Sequence, residues 1–271
     1  MTRRRGFTLV EMLVAVVLLG IVGLSISRLL QSQMRFFQRS SGAREARAVS
    51  RNALNLMRNE MRMIEPSGIT AASPTSITVR VPYAMGVYCS SSTATFVAVD
   101  SLTRATAAYS GYAYRDTALN APYVYVTSSS APTTGIVANC TSAGMTPIPG
   151  GTVRSMSPTM PLLPAGAPVF IYQTITYSFA NSVLVPGRTA LWRTVAGGAA
   201  EEVAVPFDAT SVFRFYDSGE TTAEDAPPAT LGTISGVELV LIGESERNSP
   251  GTNAPESSDT RVSIFFRNAV N

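Results

Sequence analysis

Hydrophobic positions fall along this chain in three regimes, and each predicts a different element. From Phe7 to Ser27 apolar residues occupy every face, and Glu11 is the only charge in the run. Twenty-one residues as a helix span roughly 31 Å, the thickness of a bilayer's hydrocarbon core. From Ala46 the pattern narrows to a stripe. Ala46, Val49, Ala53, Met57, Met61 and Ile64 recur at spacings of three and four, with Leu54 and Leu56 on the flanks. That spacing predicts an amphipathic helix, with Arg44, Arg47, Arg51, Arg58 and Arg62 on the opposite face. Glu60 falls within the apolar face and calls for a local partner such as an arginine from a sheet. The first proline is Pro66, so one helix from Phe7 to Glu65 would run about 88 Å. Gly20, Gly23 and Gly42 are its candidate weak points.

Beyond Pro66 the period shortens to two. Ser76–Val81, Thr95–Val99, Val169–Phe179, Leu191–Arg193, Glu202–Val205, Val212–Tyr216, Gly236–Ile242 and Arg261–Arg267 read as strands of an antiparallel series. Residues 100–168 carry mostly Ser, Thr, Ala, Gly and Pro, with Tyr112, Tyr114, Tyr123 and Tyr125 on short β-like pieces. This stretch reads as an insertion of loops and short strands. The fold class expected is α+β: a long N-terminal helix whose distal half packs on an antiparallel β-sheet.

Charge divides the chain at the same place. Residues 1–65 hold 11 Arg and 4 Glu, a net of +7, while residues 66–271 hold 10 Arg and 14 acids, a net of −4. A mildly acidic distal half does not favour nucleic acid as a partner. The chain contains neither histidine nor lysine. That removes the usual acid–base and triad arrangements, most zinc sites, Schiff-base chemistry and the phosphate-binding loop. No enzyme activity, cofactor or metal is therefore expected. The acids Asp217, Glu220, Glu224 and Asp225 lie in one turn region, where calcium would find ligands, but their spacing fits no standard loop. The two cysteines, Cys89 and Cys140, would close a disulfide if this region is exported.

The N-terminus decides among three export signals. A basic start followed by an apolar run fits a secretory signal peptide, and Arg4-Arg5-Gly6-Phe7 fits a twin-arginine pattern. Both leave Glu11 unexplained, and small-x-small cleavage sites are weak here. The third reading uses Glu11. Gly6-Phe7-Thr8-Leu9-Val10-Glu11 behind Arg3-Arg4-Arg5 resembles the signal of type IV pilins and type II secretion pseudopilins. The resemblance implies cleavage between Gly6 and Phe7 by a prepilin peptidase, N-methylation of Phe7, and a role for Glu11 in meeting a neighbouring subunit's N-terminal amine. A carboxylate in hydrocarbon is costly unless paired, so such a contact would make assembly conditional. Five arginines (Arg28, Arg35, Arg39, Arg44 and Arg47) follow the apolar run against three before it, opposite to a positive-inside count. Long domains translocate largely regardless of charge, so the motif outweighs the count.

The later strands refine the likeness. Leu191-Trp192-Arg193, Phe213-Arg214-Phe215-Tyr216-Asp217 and Gly236-Val237-Glu238-Leu239 resemble the C-terminal half of W-type minor pilins and J-type minor pseudopilins. The implied division is a leader 1–6, a transmembrane and assembly helix 7–28, an amphipathic helix 29–65, and a periplasmic β-rich domain 66–271 with an insertion at about 84–168. The implied function is a minor structural subunit of a type IV pilus or type II secretion pseudopilus, in filament initiation or at the tip. A tip adhesin or DNA-uptake pseudopilin is the alternative. Implied partners are the prepilin peptidase, other major and minor pilins or pseudopilins, and inner-membrane lipid. The chain would wait in the inner membrane as a single-pass protein before entering the filament.

Overall fold

The computed structural model describes residues 9–64, 66–100, 102–103, 107–115 and 123–266. Its first element is a single helix, α1 (Leu9–Met61), which passes through Gly20, Gly23 and Gly42 without a break. No proline interrupts it, and propensity alone does not stop a helix at an isolated glycine. A 3-10 turn, Pro66–Gly68, leads into the sheet.

Thirteen strands form one antiparallel sheet among the described residues. They are β1 (Ile69–Ser73), β2 (Ser76–Ser90), β3 (Thr93–Phe96), β4 (Gly111–Arg115), β5 (Tyr123–Thr127), β6 (Thr133–Thr134), β7 (Thr152–Ser155), β8 (Pro168–Asn181), β9 (Thr189–Val195), β10 (Ala200–Phe207), β11 (Val212–Asp217), β12 (Ile234–Asn248) and β13 (Pro255–Phe265). A short helix, α2 (Val137–Ser142), lies between β6 and β7. The main order is β11-β12-β10-β9-β8-β2-β3-β7-β6. β13 covers one edge of β12 along its length, while β11 and then β10 meet the other edge. The α+β architecture with its helix on the sheet is as the sequence pattern predicts.

The strands reach further than alternation indicates. β2 continues through Pro82 to Ser90 and pairs with β8 as far as Val87↔Pro168. The ladder shifts register between Pro82 and Ala84, and a bulge is where a sheet tolerates a residue with no N–H. A boundary at residue 84 therefore falls inside a strand. β3 stops at Phe96, short of the expected Val99, and β13 begins at Pro255 rather than Arg261. The polar run Glu256–Thr260 reads as loop by composition, but backbone pairing to β12 makes it strand. Arg267, the expected end of that last strand, lies outside the described residues.

Two cores result. The larger joins Ala53, Met57 and Met61 of α1, and Ile64 just past the helix end at Met61 (short of the expected Glu65), to the inner face of the sheet, including Ile175, Leu191, Phe213, Leu239 and Ile264. The smaller gathers Tyr88, Phe96, Tyr112, Met156, Met160 and Val169. The described residues of the stretch without strong periodicity thus include four short strands, the helix α2 and part of the smaller core. Cys89 and Cys140 are disulfide-bonded across it, joining β2 to α2 over a separation of 51 residues. Closing a loop of that length removes about 4 kcal/mol of unfolded-chain entropy in the loop-closure model.

Candidate assembly site

Glu11 lies in the first turn of α1 on an exposed stretch. Gly6 and Phe7, the expected cleavage and methylation positions, lie outside the described residues. Every residue from Leu9 to Arg39 is exposed, including Leu13, Val17, Leu24, Leu30, Phe36 and Phe37. Within α1 this apolar run is long enough to cross a membrane, and none of its most apolar window is buried among the described residues. A helix apolar all round, with no protein against it, requires lipid or other helices as its surroundings.

The same helix then docks. Ala46, Ser50, Ala53, Met57, Met61 and Ile64 are all at most 2% exposed. Burying the last three side chains is worth about 1.5–3 kcal/mol each. Nearer the apolar run the seam is built from small residues. A Cβ on Gly243 of β12 would stand 2.2 Å from the Ala46 carbonyl oxygen, so only glycine permits this approach. Across the gap the Gly243 N–H donates to Ser50 Oγ at 3.1 Å. One turn earlier the Glu246 N–H donates to Glu45 Oε1 at 3.2 Å, and Arg39 Nη2 donates to the Pro250 carbonyl at 3.3 Å.

At the far end of the seam Glu60 receives two sheet residues. Arg193 Nη2 of β9 donates to its Oε1 at 2.8 Å, and the Tyr177 hydroxyl of β8 donates to its other oxygen. Arg193 and Glu60 side chains are 18% and 15% exposed, so the ion pair is largely desolvated. Burial, and then the neighbouring Glu60 carboxylate, push the Tyr177 hydroxyl well above the ordinary phenol value. Burial works against the Arg193 charge, but Glu60 outweighs it and the guanidinium value rises.

The remaining candidates separate. Arg44, Arg47, Arg51, Arg58 and Arg62 are exposed, on the side of α1 away from the sheet. Tyr112 is buried and donates to the Pro158 carbonyl at 2.7 Å, while Tyr123 and Tyr125 pack edge-on against Phe170 and Tyr172. Burial raises the Tyr112 hydroxyl to about 12. The acidic turn is already engaged: Asp225 pairs with Arg214 at 2.7 Å, and Asp217 accepts from the Ser218 N–H. Among the described residues no three metal-ligating side chains gather. The Ser50–Gly243 contact escapes a hydrophobic reading because one residue is polar and the other has no side chain. The spacing Ala46, Ser50, Ala53, all small and on one face, was its available signal.

An apolar helix that becomes striped and docks on an antiparallel sheet defines a membrane-anchored α+β protein. Residues 1–27 match the family described as Prokaryotic N-terminal methylation motif. The match supports a place in the type IV pilin and pseudopilin superfamily, with processing by a prepilin peptidase and assembly with other pilins. Comparison with curated proteins and with solved structures found no match.

Proposed function

We propose that the chain is a minor pilin or pseudopilin, a structural subunit that enters a type IV pilus or type II secretion pseudopilus at its start or tip. The observation that carries this is the methylation motif placed directly on a helix whose first half has no cover of its own. The leader through Gly6 is removed, Phe7 becomes the methylated N-terminus, and residues 7–28 hold the protein in the inner membrane. The domain from residue 66 then stands in the periplasm. Its disulfide suits an oxidising compartment. The strand motifs of residues 169–267 support the W-type and J-type minor group over a major subunit. Glu11 joins subunits by pairing with a neighbour's terminal amine, which offsets the cost of a carboxylate in hydrocarbon.

Mass spectrometry of the mature N-terminus tests the maturation step. An N-methylated Phe7 is expected, and Met1 or any other end would sink the reading. Glu11→Ala should leave that end intact yet lower incorporation into filaments by about tenfold, the effect of losing one ion pair worth more than 1 kcal/mol. Normal incorporation would remove the pairing role.

A further inference from the structure

The two strands that flank β12, β11 and β13, each have an outer edge, and the chain treats the two edges differently. β11 is sealed. Its outward donors are taken, Phe213 N–H by the Pro74 carbonyl at 2.7 Å and Phe215 N–H by the Glu224 carbonyl at 2.8 Å. Glu224 N–H returns a bond to the Phe215 carbonyl at 2.9 Å. β13 is not sealed. The Phe266 N–H donates to the Ser235 carbonyl at 3.0 Å, directly opposite in the β12–β13 ladder. Register is unbroken from Gly236↔Phe265 to Glu244↔Ser257. Bonded pairs alternate in an antiparallel ladder, so even-numbered β13 residues face β12. Ser257, Asp259, Arg261 and Ser263 therefore turn both N–H and C=O outward, and no described residue takes them. From Ser257 to Phe265 the edge has no bulge and no proline. Such an edge is a template for another strand.

Its direction limits what can pair. Glu246 of β12 meets Glu45 and Gly243 meets Ser50, so β12 runs antiparallel to α1 and β13 runs with it, away from the apolar half. An antiparallel guest must run toward the membrane. β13 of a second copy has the right charges, because Asp259 and Arg261 would face Arg261 and Asp259 across a two-fold axis. That pairing, however, inverts one copy, and two copies anchored from one membrane face cannot adopt it. We propose that the β13 edge is a strand-addition site for a different polypeptide. The guest is an extended segment running toward the membrane, with an acid facing Arg261 and, two residues on, a base facing Asp259. Main-chain bonds supply the binding; Asp259 and Arg261 already pair with each other at 3.3 Å on an exposed face, and exchange of that pair for the guest's charges sets the register. This rests on the reading of the first half of α1 as the membrane span.

The test places a photoreactive residue at position 257, 259 or 263 of the full chain in cells that make the assembly. Cross-links should fall on one companion chain in reversed order, with position 263 marking an earlier residue than position 257. Ser263→Pro should cut the yield at 257 and 259 by about tenfold, since its N–H points away from β12 and edge strands tolerate proline, while Ser263→Ala should keep it. Independently, exchange of the Asp259, Arg261 and Ser263 amides should be fast in detergent and slow by about tenfold or more in assembled material. Cross-links to the chain's own β13, forward order, no cross-link, or unchanged exchange on assembly each overturn the proposal. The N-terminus read from the same sample tells its failure from that of the membrane reading, which falls if Phe7 is not the mature end.

Discussion

The two halves of α1 belong to one unbroken helix yet meet opposite surroundings. From Leu9 to Arg39 every residue is exposed, whereas from Ala46 to Met61 one face is sealed against the sheet. Both halves are rich in apolar residues, so hydrophobic content does not distinguish them. Their arrangement does. An apolar surface on every side cannot be satisfied by one sheet and needs a surrounding medium, while a stripe is satisfied by a single face. The chain encodes anchor and docking element in one helix by changing pattern instead of breaking backbone.

Three substitutions separate the halves, and each is read in the full chain in detergent by the fluorescence of its single tryptophan, Trp192. Gly243→Val should have the largest effect. Its side chain would drive into the Ala46 carbonyl, and backbone cannot yield as a side chain can. A loss of about 3 kcal/mol is expected, with membrane insertion unchanged. Met57→Ala should come next, at about 2–3 kcal/mol, because it empties a fully buried site. Its counterpart Leu18→Ala, at a residue 57% exposed, should stay within about 0.5 kcal/mol. Equal losses from this pair would mean that the first half of the helix also packs on the domain.

The smallest effect concerns pH on the face of β12 that turns away from the seam, since Gly243 faces α1 and its neighbour along the strand faces the other way. Glu244 of β12 is buried beside Arg188, 3.4 Å away. Burial raises its carboxyl value, Asp208 adds to the rise, and Arg188 opposes it. A raised folded-state value favours the folded protein below the ordinary 4.5, and that contribution fades as pH climbs through the raised value. Glu244→Gln should flatten this slope by about 0.5 kcal/mol between pH 4 and pH 7 while leaving low-pH stability nearly unchanged. An unaltered slope would show that the carboxylate is solvated.

Much of this was legible in the residues, and the exceptions share a cause. The stripe from Ala46 to Ile64 and the strands around Phe213 and Leu239 announce themselves through side-chain period. The glutamate within the stripe pointed to a sheet arginine, which is Arg193. What stayed hidden depends on main chain. Ser50 against Gly243 is a backbone approach, Pro82 survives in β2 because a bulge excuses it, and Glu256–Thr260 is strand because of its neighbour. The smaller core draws on tyrosines and methionines scattered over many residues, with no local period to reveal it. Glu11 stood out because a lone carboxylate in an apolar run has few bland explanations.

The absence of a break in α1 has a mechanical meaning. From Leu9 to Met61 the helix is a stiff rod of roughly 78 Å, and its upper end is clamped. Gly42, the natural place for a hinge, has Glu256 so close that a Cβ there would sit 3.1 Å from Cγ. With no joint to absorb motion, rotation at the base is delivered whole to the other end. A tilt of about 5° at Leu9 moves Met61, and the sheet fastened to it, by roughly 7 Å. The domain is thus carried on a lever, and it registers small changes in the angle at which the rod is seated.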